Sequence, residues 1–116
     1  MILVVDDDPR ILAGTSRLLT EAGHQVIAAV NGTAALRIMG SEPSIGLLVT
    51  DVMMPGMNGP ELAKAAKAAR PNLAILFVSG DIGDIPQSAF EGHELLTKPF
   101  TATALIAAVE RAKKST

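Results

Sequence analysis

Hydrophobic and polar positions follow two rhythms along this chain: short unbroken apolar runs, and longer stretches whose apolar residues recur every three or four positions. Ile2 to Val5 is a continuous apolar run closed by Asp6, Asp7 and Asp8, the pattern of a strand buried on both faces of a parallel sheet. Asp8-Pro9 reads as an N-cap followed by proline in the first helical turn. Ile11, Leu12, Leu18, Leu19 and Ala22 then recur at helical spacing until Gly23 ends the helix. Gln25 to Val30 supplies a second strand, and Asn31-Gly32 turns into a helix carrying Ala35, Leu36 and Met39, which Gly40 and Pro43 terminate.

A third strand, Leu47 to Thr50, delivers Asp51 to a Pro55-Gly56 turn. Gly59-Pro60 opens an Ala-rich helix, Glu61 to Ala69, stopped by Arg70-Pro71. Leu73 to Val78 is another buried strand and ends on Ser79-Gly80-Asp81. The stretch Ile82 to Gly92, with two Gly and Pro86, allows at most a short fourth helix. Glu94 to Thr97 forms a last strand before Lys98-Pro99-Phe100, and Thr101 caps a final helix with Leu105, Ile106, Val109 and Ala112 on one stripe.

Five strands alternating with five helices through short connections force parallel strands with right-handed crossovers. The fold expected is α/β, a flavodoxin-like doubly wound five-stranded parallel sheet of order 2-1-3-4-5, one domain over residues 1–116. That order brings Asp6, Asp7, Asp8, Asp51, Ser79 and Lys98 to the carboxyl rim of the sheet, where such folds hold ligands.

Composition narrows the chemistry. The 116 residues carry a formal charge of −2 with scattered cations, so no nucleic-acid footprint is expected. Three Phe without Tyr or Trp give no stacking platform for bases. The absence of Cys removes thiolate and Cys-zinc chemistry and suits a reducing cytoplasm. No apolar run is long enough to span a bilayer, and Met1 to Val5 lacks the basic flank of a signal peptide.

An isolated Asp at a strand end often does no more than cap a loop. Several acids on one rim are another matter, since two like charges about 4 Å apart cost about 4 kcal/mol at an effective dielectric of 20. A divalent cation removes that cost, and oxygen-only ligands without His or Cys favour Mg2+ over zinc. With the ammonium of Lys98, the hydroxyl of Ser79 and a carboxylate nucleophile, the set describes a site for a phosphoryl group. The acyl phosphate formed on Asp51 is labile, which suits a switch better than a metabolic catalyst.

Four stretches, Val4-Val5-Asp6-Asp7-Asp8-Pro9, Thr50-Asp51-Val52-Met53-Met54-Pro55-Gly56-Met57-Asn58-Gly59, Val78-Ser79-Gly80 and Thr97-Lys98-Pro99-Phe100, resemble the signatures of two-component response-regulator receiver domains, in that family's order. The resemblance implies that Asp51 is the phosphoacceptor for a histidine kinase or histidine phosphotransfer protein. It implies Mg2+ held directly by Asp7, by Asp6 largely through water, and with Asp51 and the backbone carbonyl of Met53 among the ligands. Ser79 becomes the switch hydroxyl, Lys98 the phosphoryl partner, and Lys98-Pro99 a cis peptide bond. Such a chain is no enzyme beyond its own phosphorylation and dephosphorylation. A homodimer is compatible with it, through helix 1 or through the last helix and strand 5, and neither nucleic acid nor membrane is expected to bind this domain.

Two departures stand out. Receivers usually carry Tyr or Phe three positions before the lysine, where this chain has Leu95, so switching must run through Ser79, the Gly80-Asp81 loop and the helix that follows. The stretch between Ser79 and Lys98 is about one helical turn shorter than usual, similar to receivers attached to hybrid histidine kinases.

Plainer readings account for other residues. Asp8 is a helix cap; His24 and His93 are solvated loop residues; Met53, Met54 and Met57 fill loop and core. Lys64, Lys67 and Arg70 form the wet side of a helix, and Glu110, Arg111, Lys113 and Lys114 suit the end of one. A haloacid-dehalogenase-like phosphatase needs a second Asp where Met53 stands, and a cap for which the chain is too short. The remaining alternative is a receiver-like interaction module that no longer depends on phosphorylation.

Overall fold

The computed structural model describes residues 1–114. Its element order is β1 (Ile2–Val5), α1 (Pro9–Glu21), β2 (Val26–Ala29), α2 (Gly32–Ser41), β3 (Leu47–Asp51), α3 (Gly59–Ala69), β4 (Ala74–Ser79), a 3-10 turn at Gln87–Phe90, β5 (Glu94–Thr97) and α4 (Ala102–Lys114). The five strands form one parallel sheet in the order β2-β1-β3-β4-β5.

Period-two alternation divides the apolar runs between two cores. Leu3, Val5, Leu48, Ile75 and Phe77 face α2 and α3, where they meet Ala35, Met39, Leu62, Ala63 and Ala66. Ile2, Val4, Val49, Leu76 and Val78 point the other way, onto Leu12 and Leu19 of α1 and Leu105, Ala108 and Val109 of α4. Both faces are covered, so the central strands are apolar at nearly every position rather than at alternate ones.

Five helices were expected and four α-helices are found among the described residues. The β4–β5 connection carries only the 3-10 turn, because Gly83 and Gly92 take positive φ and Pro86 cannot donate to a helical ladder. Ile82, Ile85 and Phe90 nonetheless anchor it on the core beside α3. A second correction concerns α2, which runs through Gly40 to Ser41; Pro43 sets its limit by disfavouring helical backbone at Glu42.

Arg70 is also not a solvated residue. Its guanidinium donates to the carbonyls of Ile45 (2.9 Å) and Glu42 (2.7 Å), and to that of Met39. The latter two are carbonyls at the C-terminal end of α2 that lack helical partners, so one side chain caps a helix dipole and ties α3 to the entrance of β3. Arg70→Met is expected to cost about 2 kcal/mol, read as a lower urea midpoint with unchanged slope.

Candidate functional site

Each strand of the sheet's centre hands one polar group to the carboxyl rim. β1 runs directly into Asp6, which is buried, while Asp7 is exposed. The Asp6 Oδ1 accepts the Asp8 N–H at 2.9 Å, and Asp8 in turn caps α1 through the Arg10 N–H, so the acidic triplet is folded back on the start of α1. Asp8 is therefore a cap, as expected.

β3 ends on Asp51, whose Oδ1 accepts the Val52 N–H at 2.9 Å. The loop beyond it is fixed by backbone. Gly59 N–H donates to the Val52 carbonyl at 2.8 Å, bringing the N-terminus of α3 against the end of β3. A Cβ at Gly59 would overlap the Asp51 carbonyl oxygen and lie 3.0 Å from Val52 Cα. Asn58 and Glu61 complete a reciprocal capping box that sets where α3 begins. The Asn-x-x-Glu spacing was present in the sequence; the close approach of Gly59 had no local signal.

Asp6, Asp7 and Asp51 each offer a carboxylate oxygen within 4.8 Å of the others, the one such cluster of potential metal ligands among the described residues. Lys98, delivered by β5 through a cis Lys98-Pro99 bond, places its ammonium 3.1 Å from Asp6 Oδ2 and 3.5 Å from Asp51 Oδ1. Three carboxylates against one ammonium leave two negative charges uncompensated, in an oxygen-only donor set without His or Cys. That is the charge and chemistry a divalent hard cation such as Mg2+ fits.

The same crowding acts on protons. Burial, and then repulsion from Asp6, push the Asp51 carboxyl above the usual carboxylate range despite the opposing Lys98. A carboxyl raised in the folded state favours folding at acid pH, where it is protonated. That contribution disappears as pH rises through the raised value. In metal-free buffer, stability is therefore expected to fall between the ordinary carboxylate range and that higher point, and Asp51→Asn to flatten the slope; urea midpoints against pH check it.

Ser79 ends β4 beside this group but faces its own turn. The residue is 3% exposed, and its hydroxyl donates to the Asp81 carbonyl (2.6 Å) and accepts the Asp81 N–H (3.1 Å). Met53, 49% exposed, follows the acidic strand end. Its thioether end lies over Gly83, so the β3–α3 loop touches the β4–β5 connection, a contact with no signature in the sequence. Leu95 is 38% exposed on β5. His93 is not simply solvated: its ring stands edge-on to Phe77 at 5.7 Å, and burial, then the charge of Lys67, lower its pKa.

The sequence matches the family described as response regulator receiver domain over residues 2–110. The chain belongs to that family. Receivers of two-component signalling with comparable sequences include the response regulator receiver protein CpdR of Brucella abortus, 33% identical over 95% of this chain and 93% of the relative. The sensor kinase CckA of the same organism is 34% identical over 94% of this chain, which spans only 12% of that protein. Among solved receivers, that of NtrX from Brucella abortus is 30% identical with a TM-score of 0.89 over the whole of both chains. The receiver from the hybrid histidine kinase CckA is 32% identical with a TM-score of 0.81 over 97% of each. Receivers interact with histidine kinases or phosphotransfer proteins and generally bind Mg2+ at an acidic pocket. No helix of the described residues is long and apolar enough to cross a membrane.

Proposed function

We propose that this receiver is a cytoplasmic, phosphorylation-dependent switch in which Asp51 accepts a phosphoryl group from a phosphohistidine donor. The observation that supports this most is the gathering of Asp6, Asp7, Asp51 and Lys98 at one strand-end rim. Val52 N–H holds Oδ1 of Asp51, which leaves Oδ2 to bond phosphorus. As that O–P bond forms, the donor's P–N bond breaks and its electron pair stays on the imidazole nitrogen. Lys98, now shared by two carboxylates, takes up a phosphoryl oxygen. Asp6, Asp7, Asp51 and the Met53 carbonyl would hold Mg2+, which when bound neutralises carboxylate and phosphoryl charge.

Ser79 must give up the Asp81 carbonyl before its hydroxyl can bond a phosphoryl oxygen. That exchange of partners moves the Gly80-Asp81 turn and is the conformational part of the switch. The Leu95 position contributes no aromatic to it.

Incubation with acetyl phosphate and Mg2+ is expected to add one phosphoryl mass to the chain, and Asp51→Asn to take none. Asp7→Ala is expected to weaken Mg2+ binding by calorimetry. Absence of the adduct in the unsubstituted protein would favour the phosphorylation-independent interaction module instead.

A further inference from the structure

The missing fourth α-helix leaves a groove of about 410 Å3 between α3 and the Gln87–Phe90 turn. Its floor is apolar, formed by Pro60, Ala63 and Ala89, and its rim carries Lys64, Lys67 and His93. The β4–β5 connection contributes Ala89 and His93 to its lining, while Phe90 is buried in the core and Ile82 and Ile85 pack against that core. The lining is net positive: among the described residues Lys64 and Lys67 stand against the carboxylate of Glu61, which keeps its charge while its Oε1 accepts the Asn58 N–H at 2.9 Å in the α3 cap. The Lys67 ammonium donates to the Leu73 carbonyl at 3.0 Å, a neutral partner that leaves its positive charge in place. That charge is felt by the His93 ring.

We infer that this groove is a docking site for a partner peptide segment in which an apolar side chain is flanked by carboxylates. The apolar side chain would bury against Pro60, Ala63 and Ala89 while the acids meet Lys64 and Lys67, an arrangement in which the rim charges set specificity and the floor supplies affinity. A basic or uncharged segment of the same shape gains nothing from the rim. The site lies along α3 and involves none of the residues assigned to phosphoryl transfer, so its failure and theirs are separable.

The test uses the unphosphorylated chain and short peptides with Leu flanked on both sides by Glu, with Gln-flanked and Lys-flanked versions as comparisons. Backbone amide shifts are expected at Lys64, Lys67, Ala89 and His93 with the Glu peptide, and binding about fivefold weaker with the Gln peptide. Lys64→Glu, an exposed substitution, is expected to weaken the Glu peptide and strengthen the Lys peptide. Ala89→Leu is expected to weaken all three by filling the floor. Equal binding of the Glu and Gln peptides, shifts confined to another surface, or no shifts at millimolar peptide would each overturn the inference.

Discussion

Lys98→Met is expected to lose about 3 kcal/mol of folding stability in metal-free buffer at neutral pH. The ammonium is a largely buried counter-charge, 3.1 Å from Asp6 and 3.5 Å from Asp51. A methionine keeps most of the stem's volume and removes the charge, leaving two carboxylates facing each other with Asp7 nearby. Breaking a buried pair by removing one partner typically costs 3–5 kcal/mol, about the lower end here because water reaches this rim. On the proposed reading, millimolar Mg2+ returns much of the loss, so the variant's urea midpoint becomes far more Mg2+-dependent than that of the unsubstituted chain. A midpoint within error of the unsubstituted protein in metal-free buffer would mean that Lys98 is not the counter-charge the geometry describes.

Gly59→Ala is expected to cost about 3 kcal/mol, a large effect for a single methyl group. At most helix starts such a change is mild, because the first turn looks outward. Here the added Cβ meets backbone, the Asp51 carbonyl oxygen and Val52 Cα, and backbone cannot rotate away as a side chain can. Relief requires α3 to retreat from β3, lengthening the 2.8 Å bond from Gly59 N–H to the Val52 carbonyl and shifting the segment that sets Asp51. Equilibrium denaturation measures the loss. A Ser substitution is expected to do no better than Ala, since the obstacle is Cβ itself.

The fold was legible wherever one residue pattern had one physical solution. Runs such as Ile2–Val5 and Leu73–Val78 are too short for helices and too apolar for one-faced strands, so a two-sided parallel sheet followed. The same logic led Asp6, Asp7, Asp51 and Lys98 to one rim. Contacts between elements distant in sequence were not legible. Arg70 looked like a surface cation because its acceptors are the carbonyls of Met39, Glu42 and Ile45, and carbonyls are invisible in a sequence. His93 was missed for a related reason, since its neighbours Phe77 and Lys67 come from other elements. The helix count failed at Gly83, Pro86 and Gly92, where local breakers outweighed the alternation of the rest of the chain.

The segment that stands in for a fourth helix has a mechanical consequence. Residues 80–93 rest on three apolar anchors and a few turn bonds rather than on a continuous helical ladder, so their local opening free energy lies well below that of the sheet they border. The Ser79 turn forms one end of that soft span, and Met53 leans on it at Gly83. On the proposed reading, a displacement at Asp51 is therefore expected to meet less resistance on this side than on the opposite face, where α1 and α4 pack against the strands.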